Sequence, residues 1–406
     1  MMRFLVFTAL LATALAVNYD GYKVFRVTPK DRLQLEKLVV LKSVLGNYVN
    51  FWKEPADVDR PVDMLVSPEY QDLVLGLVNG RDLDVEVTVD DLQTDIDEER
   101  AGTTATFSYT QFNTLDLIEG WMNDLAAQYS SIVSVVTVGS SYEGRDIKAL
   151  KIGTNQFSNS KRSVWYEGGI HAREWISPAT MIYMTKLLLD GYDSNDQDAT
   201  TMIEELHTYI LPVYNVDGYE FTWTSDRMWR KTRSPNSAST CVGTDPNRNW
   251  DYEWVAKVSK CSESYPGTHP WSEIEVETVT DYITNLNSVE AFIDFHAYGE
   301  MWMTPWGYTE SLPTDYTVQK SVSDSAVSAM GNRSYKTGSI ANVIYQAYGS
   351  SVDWTYGALG IVHSYAVELR GTSFVISPTQ IDDSGIETYE ALKYVSLYAI
   401  QNPSRK

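Results

Sequence analysis

Apolar positions change their period along the chain, and the changes mark out its elements. Tyr22-Lys-Val-Phe-Arg-Val27 alternates with period two and predicts a strand, while the apolar positions of 30–44 recur at helical spacing. Residues 62–66 again predict a strand, 69–78 a helix that Gly80 closes, and 84–89 a last strand. Strand–helix–strand–helix–strand in so short a stretch predicts a small α+β sandwich. The polar run Asp90-Asp-Leu-Gln-Thr-Asp-Ile-Asp-Glu-Glu-Arg100 follows and reads as an exposed linker, with Arg100 open to a trypsin-like cut. From Ala101 onward strand-like runs (132–138, 147–152, 164–167, 209–213, 291–295 and 362–368) alternate with helical runs (111–129, 178–189, 201–207, 272–286, 316–330 and 378–400). That alternation predicts an α/β domain, a mixed and mostly parallel sheet covered by helices on both faces.

The N-terminus adds a destination. Met1-Met2-Arg3 precedes a short apolar run ending Ala14-Leu15-Ala16, the pattern of a secretory leader cleaved after Ala16. The run is too short to span a bilayer, and no other segment comes close. The mature chain is therefore expected outside the cell, with no membrane partner. In that oxidising setting Cys241 and Cys261 can pair. Asn332-Arg-Ser334 is a glycosylation sequon. The 406 residues hold 32 Lys and Arg against 54 Asp and Glu, and a net charge of −22 argues against a nucleic-acid partner.

Only 5 histidines occur, so each can be weighed. Chemistry in open α/β sheets collects beyond the carboxyl ends of strands. His171 follows a predicted strand through a Gly-Gly turn, and His296 ends Ala291-Phe-Ile-Asp-Phe295. His207 in a helical run, His269 in a Pro-flanked loop and His363 inside a strand read as structural. Glu174 stands three residues after His171, so an imidazole and a carboxylate can converge on one ion. A distant third ligand such as His296 completes a His2Glu set with an open position, the donor set of a catalytic zinc. Glu368 closes the apolar run Val362-His-Ser-Tyr-Ala-Val-Glu368. A carboxylate there needs a partner, such as Arg370, or a role, such as general base.

Six ordered motifs carry a family likeness: Tyr142-Glu-Gly-Arg-Asp146, His171-Ala-Arg-Glu-Trp175, Met228-Trp-Arg-Lys-Thr-Arg233, Asp245-Pro-Asn-Arg-Asn-Trp250, Ile344-Tyr-Gln346 and Glu368-Leu-Arg370. With them the chain closely resembles secreted zinc carboxypeptidases of the pancreatic A/B type. The resemblance implies a leader at 1–16, a ferredoxin-like inhibitory propeptide at 17–100 and an enzyme at 101–406, released by a trypsin-like protease at Arg100. It implies one Zn2+ held by His171, Glu174 and His296, with Glu368 as general base and Arg230 at the oxyanion. It also implies that Asn247, Arg248 and Tyr345 hold the substrate's terminal carboxylate, that Arg173, Tyr298 and Phe374 flank the chain behind it, and that Cys241 and Cys261 form the family's disulfide. The enzyme is expected to act as a monomer on peptide or protein C-termini.

In the resembled family one pocket position separates basic from apolar specificity, and its match here is Val352. Ile340 and Gly307 are also uncharged, and small Ala366 leaves depth. An apolar wall cannot offset the desolvation of a buried Lys or Arg. Large aliphatic or aromatic terminal residues are therefore expected. The alternatives are a basic-specific enzyme, were neighbouring Asp353 the pocket residue, and a catalytically inactive binding homologue. No Gly-x-Ser-x-Gly elbow supports a serine hydrolase.

Overall fold

The structure is a computed structural model that describes residues 16–402, apart from 47, 81–82, 159–160, 287 and 332–333. Residues 1–15 of the predicted leader and Asn332 of the sequon lie outside the described residues.

The first unit runs β1 (Lys23–Val27), α1 (Arg32–Leu45), β2 (Val49–Lys53), β3 (Val62–Val66), α2 (Gln71–Asn79) and β4 (Val85–Val89). Asp31 starts α1 by accepting from the Gln34 amide, and Leu35, Leu38, Leu41 and Leu45 form its buried stripe. The strands make an antiparallel sheet in the order β2-β3-β1-β4. The α+β sandwich is as expected, with one strand more: Val-Asn-Phe-Trp-Lys of β2 is short and its polar residues blur the alternation.

The expectation of an exposed linker is overturned. Residues Leu92–Arg100 form helix α3, begun by Asp91, whose side chain accepts from the Gln93 and Thr94 amides. Leu92, Ile96 and Glu99 are buried at helical spacing. Acid-rich composition hid this stripe, because its third member is a carboxylate that needs a cation from outside the segment. That cation is Arg227, which donates to Glu99 from Nε at 2.6 Å and Nη2 at 2.8 Å.

The second unit continues α4 (Leu115–Gln128), β5 (Val133–Ser140), β6 (Asp146–Ile152), β7 (Arg162–Gly168), α5 (Ile176–Asp193), α6 (Gln197–Glu205), β8 (Leu206–Leu211) and α7 (Val216–Thr224). It closes with α8 (Ile274–Thr284), β9 (Val289–Ala297), β10 (Met301–Thr304), α9 (Tyr316–Ala329), β11 (Lys336–Ser339), α10 (Ile340–Val343), α11 (Ser351–Gly357), β12 (His363–Leu369) and α12 (Ile381–Gln401). The eight-stranded sheet has the order β11-β10-β12-β9-β7-β8-β6-β5. Its centre, β12-β9-β7-β8, is parallel, and its flanks turn antiparallel at β10/β12, β6/β8 and β5/β6. Successive residues of β7 point to opposite faces. Tyr166 meets Ser396 of α12 at 2.7 Å, while Trp165 packs on Tyr282 of α8, so helices cover both faces. The disulfide Cys241–Cys261 is formed.

His207 differs from expectation in its element: it lies in β8, not in the preceding helix, and its Nε2 meets the Thr154 carbonyl at 3.1 Å. His363 is buried in β12, with Nδ1 3.1 Å from the Tyr365 hydroxyl. Burial pulls the His363 imidazole down from 6.5 to about 4. Acidification through that window protonates the unfolded chain's imidazole and not the buried one, so folded stability falls as pH falls, by up to roughly 3 kcal/mol. His363→Leu is expected to flatten this limb of a stability-versus-pH curve, measured by urea unfolding between pH 6.5 and 4.

Candidate metal centre and its cleft

Three neighbouring parallel strands deliver the chemistry to one edge. β7 ends at Gly168, and Gly169 turns the chain at φ +65°, where a Cβ would press on Pro178 at 3.1 Å. The turn brings His171 and Glu174 over the strand end. His296 is the penultimate residue of β9 and Glu368 the penultimate residue of β12, and the two are cross-strand partners.

His171, Glu174 and His296 are buried, and each offers one ligand atom within 4.8 Å of the others. His171 Nδ1 stands 2.9 Å from Glu174 Oε1, and His296 Nδ1 stands 3.1 Å from Glu174 Oε2 and 3.1 Å from His171 Nδ1. The far nitrogens face carboxylates: His171 Nε2 meets Asp245 Oδ1 at 3.1 Å, and His296 Nε2 meets Asp294 Oδ2 at 2.9 Å. Carboxylates behind both imidazoles, with both Nδ1 atoms turned inward to a glutamate, fit a zinc ion. Burial opposes ionisation of Glu174, but His171 and His296 outweigh it and hold the carboxyl well below the usual range. Asp245 is likewise held low against its burial by Arg230, His171 and Arg248.

The other expected residues line the same cleft. Glu368 stands on one wall, its Oε2 buried without a hydrogen-bond partner among the described residues. Burial holds its carboxyl above the ordinary carboxylate range. Arg230 donates to Asp245 Oδ2 from Nη2 at 2.7 Å, and its Nη1 lies 3.7 Å from Glu174. Arg248 donates to the Tyr345 hydroxyl at 3.2 Å and to the Asn247 carbonyl at 2.7 Å. Gly349, at φ +65°, passes so close that a Cβ would sit 2.5 Å from the Arg248 carbonyl. Ile340, Val352 and Ala366 form an apolar end of the cleft. Asp353 turns away, accepting from the Gly307 and Tyr308 amides at 2.8 and 2.9 Å.

Arg173 lies in the adjoining outer cavity, its guanidinium 4.1 Å over the Phe374 ring and 3.3 Å from Glu263. Phe374 and Tyr298 line the inner cleft beside two residues of the first unit, Trp52 and Lys53 of β2. Trp52 packs edge-on against Phe374 at 5.0 Å, and Lys53 Nζ stands 4.2 Å over Tyr298. Asp63 of β3 is fully buried, accepts from the Tyr298 hydroxyl at 2.6 Å and pairs with Arg26 at 2.6 Å. The small unit is thus a lid seated on the cleft. Sequence reasoning missed Asp245, Asp294 and this lid contact. Asp245 lay inside a quoted motif and Asp294 two residues before His296; the lid contact left no signal, because docking alone creates it.

A His–Glu–His cluster at parallel strand ends, under a separate lid, defines a metallohydrolase held closed by its own N-terminal unit. A zinc carboxypeptidase profile matches residues 118–391, and a carboxypeptidase activation peptide profile matches residues 25–99. Carboxypeptidase A1 of Sus scrofa is 35% identical, over 98% of this chain and 99% of the relative. Carboxypeptidase A2 of Mus musculus is 36% identical, over 95% of each chain. The crystal structure of carboxypeptidase A from Helicoverpa armigera superposes with a TM-score of 0.85 at 25% identity, covering 95% of this chain and 99% of that one. The chain belongs to the zinc carboxypeptidase family. It is a zinc-dependent metallocarboxypeptidase made as a zymogen.

Proposed function

We propose that the chain is secreted behind the 1–16 leader, that a trypsin-like cut after Arg100 removes 17–100, and that the 101–406 enzyme then hydrolyses the last peptide bond of peptides and proteins, preferring large aliphatic or aromatic terminal residues. The observation that carries this reading is one cleft holding the His171, Glu174 and His296 cluster, Glu368, three cationic or polar anchors and an apolar end. Among the described residues no helix is long and apolar enough to cross a membrane.

His171, Glu174 and His296 would hold zinc, which would supply Lewis acidity toward the scissile carbonyl and the attacking water. Glu368 takes the proton of the attacking water and returns it to the leaving amine as the C–N bond breaks. Arg230 faces the charge that grows on the carbonyl oxygen. Arg248 grips the terminal carboxylate with its planar fork, with Asn247 and Tyr345 beside it, and this contact restricts cutting to the last bond. Ile340, Val352 and Ala366 receive the terminal side chain, while Arg173, Tyr298 and Phe374 flank the residue before it.

Arg100 is itself partly sheltered. Its Nη2 donates to the Thr222 carbonyl at 2.9 Å, and its guanidinium lies 5.5 Å from the Trp175 ring and 5.8 Å from the Trp223 ring. The buried Glu99–Arg227 pair pins the residue before it. Presentation to a protease therefore requires the last turn of α3 to open.

Glu368→Gln is expected to lower turnover of a Phe-ending peptide by about 100- to 10,000-fold, with bound zinc unchanged by metal analysis. A chelator should abolish wild-type activity. Val352→Asp is expected to raise kcat/KM for Arg-ending peptides over Phe-ending ones, read with a matched peptide pair. Glu99→Ala leaves Arg227 buried without its counter-ion, held only by the Arg173 and Phe374 carbonyls, weakening the closed α3 by about 3 kcal/mol. Trypsin should then convert the zymogen several-fold faster on a gel time course, while an isolated peptide spanning 95–105 with the same change is cut at the unaltered rate.

A further inference from the structure

Asp294 is a fully buried carboxylate in β9 that stands behind His296, and its contacts reach further than that imidazole. Its side chain shares a face of the sheet with His296, two residues on. One of its oxygens, Oδ2, has three partners: His296 Nε2 at 2.9 Å, Asn247 Nδ2 at 3.0 Å and Ser351 Oγ at 2.8 Å. His296 Nε2 and Asn247 Nδ2 are themselves 2.9 Å apart. Either end of the Asn247 amide could face that contact, and Ser351 fixes which one does. The Ser351 amide donates to Asn247 Oδ1 at 2.9 Å, which fixes the amide group with its nitrogen toward Asp294. Asn247 Nδ2 is then a donor to Asp294, and because an ionised Asp294 oxygen only accepts, its 2.9 Å contact with His296 makes Nε2–H the second donor to the same oxygen. Their mutual closeness follows from sharing it.

Two consequences follow for the neighbours. An imidazole that donates from Nε2 has its lone pair at Nδ1, the atom directed at Glu174 and His171. An Asn247 amide that spends one N–H on Asp294 keeps the second for another acceptor. The third partner, Ser351, begins helix α11, whose next residue is Val352 of the apolar end.

We propose that Asp294 is a positioning residue that, through one oxygen, sets the metal-binding tautomer of His296 and aims Asn247 at the substrate's terminal carboxylate, so that metal affinity and substrate recognition depend on the same side chain. This rests on the reading of His296 as a zinc ligand and of Asn247 as a carboxylate anchor. Asp294→Asn keeps the shape but sets a competing donor among three donors.

The test uses the full chain for metal binding and the trypsin-activated enzyme for kinetics. Zinc affinity is measured by competition with a chelator before peptide is added, and Asp294→Asn is expected to weaken it about 10- to 100-fold. At saturating zinc, KM for a Phe-ending peptide should rise about tenfold, the equivalent of one lost hydrogen bond, with kcat changed far less. Zinc affinity within twofold of the parent, or an unchanged KM, overturns the coupling. His296→Ala serves as the reference: if it too retains zinc, the ligand reading fails; if it loses zinc while Asp294→Asn does not, the role of Asp294 alone fails. Should Asp294→Asn not fold, nitrogen NMR of the parent's imidazoles decides: a proton on His296 Nε2 supports the proposal and a proton on Nδ1 overturns it.

Discussion

Parallel register is the constraint on which the rest depends. β7, β9 and β12 lie side by side and run the same way, so their carboxyl ends reach one edge of the sheet. There residues far apart in sequence meet: His296 and Glu368 on the strands themselves, and His171 in the short turn that follows β7. Cross-strand pairing of His296 with Glu368 fixes the distance between the cluster and the carboxylate by backbone hydrogen bonds rather than by side-chain choice. The antiparallel strands β10, β6 and β5 extend the sheet at its flanks and contribute less chemistry. Buried charge at this edge is held where a partner stands beside it, as Asp294 beside His296 and Asp245 beside His171 and Arg230.

That tolerance extends to the lid. Burying an ion pair is a poor source of net stability, since desolvation offsets much of the attraction, yet breaking such a pair is strongly unfavourable. The lid is fastened by one of them, Glu99 with Arg227, and by the Tyr298 hydroxyl, which donates to Asp63, a carboxylate that Arg26 pairs within the lid itself. Such fastenings are specific more than adhesive: they hold one docked geometry and penalise slightly shifted ones.

Much of this was legible in the residues themselves. Apolar runs that end in His296 and Glu368 announce both a strand and a reason to look at its end, and the strand-end placement of His171 gives weight to its spacing with Glu174. What stayed hidden is structure made by context. Lys-Thr-Gly-Ser of β11 has no apolar period and is a strand only because β10 offers its edge. Helix α3 looked like a linker because its buried Glu99 reads as polar until Arg227 arrives from far along the chain. Asp245 and Asp294 were invisible as supports because many acids stand in the sequence, and nothing local says which of them faces an imidazole.

The same distinction between local and global governs charge. With a net charge of −22 the molecule as a whole repels anions, yet its proposed task is to seize a carboxylate. In physiological salt, exposed charges more than about 8 Å away are largely screened, so the surface acids set solubility and have little voice inside the cleft. Inside, Arg230, Arg248 and Arg173 stand against few mobile ions, and their attraction weakens far less with distance. Asp245 holds Arg230 and His171 but leaves the Arg248 fork to the Tyr345 hydroxyl and a backbone carbonyl, neutral partners that the carboxylate of the proposed substrate would outcompete. The acidic surface and the cationic cleft are therefore compatible: one is screened by solvent, and the other is shielded from it.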